Sequence, residues 1–95
     1  LHQGVHAMPT TLALLEKALS TKRASIWARE LNLDRSAIAQ AKKRGRLSPT
    51  MAGALAVHMA EDPIKWTAIA AVEAEPESPL RAQLVKALEK AWRHS

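Results

Sequence analysis

The chain is predicted to be all-α, a compact bundle of five to six short helices, and three observations predict it. Nearly half of the 95 residues are apolar, and Ala and Leu carry that share with no Phe or Tyr, which is the composition of helices and not of sheets. Apolar residues recur at three- and four-residue spacing, the period of one helix face. Ser48-Pro49, Asp62-Pro63 and Ser78-Pro79 repeat one device, an N-cap side chain followed by Pro at the first helical position, where its missing N–H is no loss.

Taken in order, residues 1–7, LHQGVHA, lack helical periodicity and precede Met8. They are expected to be a disordered, vector-derived leader outside the fold. Thr10 or Thr11 can cap a first helix with Leu12, Leu15 and Leu19 on one stripe, ending near Ser20-Thr21. Ser25 to Gly45, SIWARELNLDRSAIAQAKKRG, then reads as two short amphipathic helices around a tight turn, the second running into Lys42-Lys43-Arg44. Ala28 falls where the two helices must come close, and Leu31, Leu33 and Ile38 supply the apolar contacts between them. Asn32 occupies the turn, where a left-handed backbone is needed and Asn is the best-tolerated residue after Gly. Asp34 offers a carboxylate as N-cap of the following helix, with Ser36 as the alternative in a shifted register.

The Ser/Asp–Pro pairs start the remaining helices. The fourth runs from Pro49 to about Ala60 with Met51, Leu55 and Met59 on its stripe, and the fifth from Pro63 to about Ala74. The sixth runs from Pro79 to about Arg93 with Leu80, Leu84, Leu88 and Ala91 or Trp92 inward. Glu75-Pro76-Glu77 is the one hinge. Trp27 is expected to bury its ring beside Ala28, while Trp66 and Trp92 cover the joint of the fifth and sixth helices or form a dimer contact.

Charge is unevenly distributed. Between Glu16 and Arg46 nine basic residues face three acids, whereas from Leu47 onward five face six. A positive field over the paired short helices draws in phosphates and predicts salt-sensitive binding. No apolar run approaches the ~20 residues that span a bilayer, and no cysteine is present to make a disulfide or thiolate site. A soluble cytoplasmic protein, nucleoid-associated in a bacterium, is the expectation. His58 and His94 lack partners at metal spacing, and the terminal pair His2 and His6 makes a poor site, so neither metal nor cofactor is expected. Gly45 and Gly53 are the only glycines after the leader, so there is no phosphate-binding Gly-rich loop, and no residue set suggests catalysis.

The segment 25–45 resembles the helix-turn-helix of the Cro/C1-type (XRE-like) phage repressors. That family has a small residue at the Ala28 position, apolar residues at those of Leu33 and Ile38, and a basic-Gly-basic close like Arg44-Gly45-Arg46. The chain departs from the pattern at Asn32, where Gly is usual, and at Ala41, where many relatives carry a larger residue. The downstream stretch DPIKWTAIAAVEAEPESPLRAQLVKALEKAW is similar to short phage-encoded regulators and extends the likeness over most of the chain from Met8. The resemblance implies a lambda-repressor-like DNA-binding domain over residues 8–75, with the helix-turn-helix as its second and third helices, and a C-terminal helix over 76–95 as a candidate dimerisation element.

If Asp34 is the N-cap, Arg35, Ser36, Ala39, Gln40 and Lys43 share the face turned away from Leu33 and Ile38. Gln40 can pair with adenine N6 and N7, and Arg35 or Lys43 with guanine O6 and N7. The family's base-reading positions match Arg35, Ser36 and Gln40. Lys22, Arg23, Lys42, Arg44 and Arg46 are expected on phosphates, with Ser48 adding a contact at the start of the fourth helix. The stripe Leu80, Leu84, Leu88 and Trp92 is the expected homodimer surface, the alternative being intramolecular packing on the fourth helix. The expected function is sequence-specific repression from a palindromic double-stranded operator, with no membrane or small-molecule partner and with a protein antirepressor as a candidate regulator. Two rivals are an antitoxin that holds a toxin and represses its own operon, and a protein-interaction module on the same fold.

Overall fold

The computed structural model describes residues 8–93, and these form six helices with no strand among them. The leader, His2, His6 and His94 lie outside the described residues. The helices are α1 (Thr11–Leu19), α2 (Ala24–Glu30), α3 (Ala37–Arg44), α4 (Pro49–His58), α5 (Pro63–Ala74) and α6 (Pro79–Arg93). Four of the predicted caps form: Thr10 Oγ1 accepts from Ala13 N, Ser48 Oγ from Met51 N, Asp62 Oδ1 from Ile64 N and Ser78 Oγ from Arg81 N.

Several helix ends carry a left-handed residue, and two close with the same pair of hydrogen bonds. After α2, Asn32 (φ 55°) lets Leu33 N donate to Ala28 O and Asn32 N to Arg29 O. After α4, Ala60 (φ 59°) does the same, with Glu61 N donating to Ala56 O and Ala60 N to Val57 O. This closure stops α4 at His58, two residues before the expected end at Ala60. After α3 the left-handed residue is Gly45 (φ 85°).

The core joins Leu14, Leu15 and Ala18 of α1, Trp27 of α2, Ile38 and Ala41 of α3, Leu47, Leu55 of α4, and Trp66 and Ile69 of α5. The expected α1 stripe of Leu12, Leu15 and Leu19 faces the core and is widened by Leu14. Leu14 and Leu15 are both buried and Leu12 and Leu19 are half-buried, because α1 packs against both α4 and α5 and needs an apolar face wider than one row. The most extensive helix pair is α4 with α5. Small residues bring the two close: a Cβ on Gly53 would lie 2.4 Å from Thr67 Oγ1.

One buried polar cluster ties distant segments together. Thr11 is fully buried; its hydroxyl donates to Glu73 Oε1 at 2.5 Å and accepts from Leu47 N at 2.8 Å, while its N–H donates to Glu73 Oε2. The start of α1, the α3–α4 connection and the end of α5 are thereby joined.

The segment Glu75-Pro76-Glu77 separates α5 from α6 without helical structure, as expected. α6 folds back on α5, with Trp92 edge-on to Trp66 at 5.2 Å and Arg81 Nε donating to Val72 O. Of its expected inward face, Leu88 and Trp92 are placed as expected, but Leu80 and Leu84 are not. Arg81, Val85, Leu88 and Trp92 are half-buried, whereas Leu80 and Leu84 remain 76% and 49% exposed and Ala91 is exposed. The first half of the helix thus turns Arg81 and Val85 inward in place of Leu80 and Leu84, with Arg81 capping the end of α5, while Trp92 seats on Trp66 in the second half.

Candidate nucleic-acid interface

The geometry begins at Trp27, which is 2% exposed and whose Nε1 donates to Ala18 O, pinning α2 to the end of α1. Beside it the buried Ala28 leaves room for the chain to turn back through Leu31 and Leu33, both half-buried against the core. Ile38 and Ala41 then fix α3 from below, and Ala41 at 0% exposure leaves no space for a larger side chain. The opposite face of α3 is open. Ala39, Gln40 and Lys43 are exposed on it, and Arg35 and Ser36 are exposed in the turn that precedes the helix.

The start of α3 takes the shifted register, the alternative of the two expected. Asp34 is not the N-cap; the helix begins at Ala37, with Ser36 in the cap position and no side-chain cap bond to the helix. The reason is local: the Asp34 carboxylate accepts from both Ser36 N and Ser36 Oγ, at 3.2 and 2.6 Å, and so closes the turn before the helix instead of capping it. These bonds, the Ser36 hydroxyl first, hold the Asp34 carboxyl below its ordinary pKa. Gln40 Nε2 donates to Ser36 Oγ at 3.2 Å, so two candidate base readers are aligned with each other along one face. Gln40 keeps an amide oxygen and a second N–H for another partner.

The basic residues fall into two groups. Lys42, Lys43, Arg44 and Arg23 are exposed, Arg46 is half-buried, and no salt bridge among the described residues involves any of them. Lys22, in contrast, bridges Glu30 at 2.7 Å and sits 4.5 Å over the Trp27 ring. It braces α2 internally instead of standing free beside the other cations. The exposed Ser48 hydroxyl accepts from Met51 N, which leaves its own proton available.

Elsewhere, Leu80 and Leu84 line an apolar groove with Ala71 and Val72, while Leu88 and Trp92 turn toward α5. The expected dimer stripe is therefore divided, and the main packing of α6 is on α5. His58 is exposed, with Nδ1 3.1 Å from Ala54 O and its ring edge-on to Trp27. No group of His, Asp or Glu among the described residues is arranged to hold a metal ion, and no helix there is long and apolar enough to cross a membrane.

Sequence spacing did not single out Arg29. It is exposed and lines a cleft between α2 and the turn together with Arg35. The signal was present in the charge count, but its place beside Arg35 depends on how the turn folds. The Thr11–Glu73 cluster likewise joins residues 62 positions apart, which no local pattern reveals. Comparison of the chain with protein-family models, with curated proteins and with solved structures gives no match.

Proposed function

We propose that this chain is a sequence-specific double-stranded DNA-binding transcriptional regulator, a repressor of the phage or prophage type that acts as a homodimer on a palindromic operator. The observation that carries the reading is the two-sided character of α3. Its inner side is closed by Ile38 and Ala41, its outer side presents Ala39, Gln40 and Lys43, the turn before it adds the exposed Arg35 and Ser36, and its end carries cations that form no salt bridge among the described residues.

In this reading α3 enters the major groove. Gln40 pairs with adenine, Arg35 or Lys43 with guanine, and Ala39 allows close approach to a thymine methyl. Lys42, Arg44, Arg46, Arg23 and Ser48 hold phosphates and fix the register. A single unit of this size reaches only a few base pairs, so two copies related by a two-fold axis are needed for an operator. The exposed Leu80 and Leu84 supply an apolar surface for that pairing. The same surface supports a second reading, an antitoxin or interaction module that holds a protein there.

The test compares Gln40→Ala and Lys42→Ala on duplexes enriched from a random pool. Gln40→Ala is expected to lose about 1–3 kcal/mol of discrimination while retaining nonspecific affinity. Lys42→Ala is expected to weaken all duplexes about equally. If neither substitution changes binding, α3 does not contact DNA.

A further inference from the structure

We propose that Arg29 and Arg35 form a clamp for one DNA phosphodiester, so that Arg35 grips the backbone and base reading falls to Ser36, Ala39, Gln40 and Lys43. The proposal rests on the DNA-binding reading above and assigns a contact that the motif alone does not. Arg29 and Arg35 line the same open cleft, with Ser25, Ala24, Ala28 and Leu33 completing it. Both arginines are exposed. The acid next to each in sequence is held by another group: Glu30 by Lys22 Nζ at 2.7 Å, and Asp34 by the Ser36 hydroxyl and N–H. No salt bridge among the described residues involves Arg29 or Arg35.

Two like charges facing one cleft repel, and an anion between them relieves the repulsion. Guanidinium groups present a planar fork that matches phosphate oxygens, a geometry that a lysine cannot reproduce. Ser25 lies one helical turn before Arg29 on the same face of α2 and adds a hydroxyl donor to the cleft. Ala24 and Ala28 keep that wall low, so a backbone phosphate can approach without meeting a bulky side chain. The cleft adjoins the start of α3, so a phosphate held there sets how deeply that helix enters the groove.

The test measures binding of the full chain to a labelled duplex of about 20 base pairs of arbitrary sequence, and to a duplex selected from a random pool, between about 50 and 200 mM NaCl. Wild type is compared with Arg29→Gln, Arg35→Gln and, as a distant control, Lys86→Gln. The two arginine variants are each expected to reduce the slope of log affinity against log salt by about one and to weaken both duplexes by the same factor. Lys86→Gln is expected to keep the wild-type slope. A wild-type slope in Arg29→Gln, or an Arg35→Gln that changes the preference between the two duplexes, overturns the clamp while leaving the DNA-binding reading intact. Wild-type protein that binds neither duplex overturns both.

Discussion

Ala60 holds a left-handed conformation that L residues other than Asn and Asp adopt at a cost, and it does so because the closure of α4 requires it. Ala60→Gly is therefore expected to stabilise the fold by about 0.5–1 kcal/mol, the relieved strain outweighing the added freedom of the unfolded chain. Chemical denaturation reads it as a higher midpoint at unchanged slope. Thr11 makes the opposite case. Thr11→Val removes the acceptor of the buried Leu47 N–H and the donor to Glu73, an expected loss of about 1–3 kcal/mol by the same measurement. Glu61 shows how a surface carboxylate responds to acid. Its hydrogen bond from Lys17 at 2.6 Å holds its pKa below the ordinary glutamate value. A depressed carboxylate contributes stability above its unfolded pKa and loses it as pH falls through the folded value. Because Lys17 is 63% exposed, the contribution is expected to stay under about 1 kcal/mol. Glu61→Gln should remove that part of the acid sensitivity in stability curves recorded below the usual glutamate range.

At the scale of elements, local chemistry is legible in the sequence where it acts within a few residues. The Pro49, Pro63 and Pro79 starts and the left-handed Asn32 follow from steric rules that no neighbour overrides. Rotation of a helix about its axis is not local. α6 leaves Leu80 and Leu84 outward because Trp92 finds Trp66 and Arg81 finds Val72 O, contacts between residues 26 and nine positions apart. Asp34 fails as a cap for a local reason instead, a competition between two short-range partners, since Ser36 offers its carboxylate two donors before the helix begins. The face of α3 was readable because Ile38 and Ala41 fix it from one side only, whereas the cleft beside it needed the folded turn.

At the scale of the molecule, the proposed function assigns DNA contact to the basic half with α2 and α3 and subunit pairing to the exposed leucines of α6. Leu80→Glu with Leu84→Glu is expected to give a monomer by sedimentation while the Trp66–Trp92 contact and the fold persist, since both leucines face solvent in the single chain. DNA binding to a palindrome should then fall far more than binding to a half-site. A double variant that remains dimeric would place the subunit contact elsewhere.

The most direct measurement is a selection of random duplexes by the purified chain, with the enriched sequences titrated at two salt concentrations. The account predicts a palindromic motif, half-sites about one helical turn apart, and affinity that falls steeply as salt rises. Enrichment of no sequence, or weak binding that is indifferent to sequence, would contradict it.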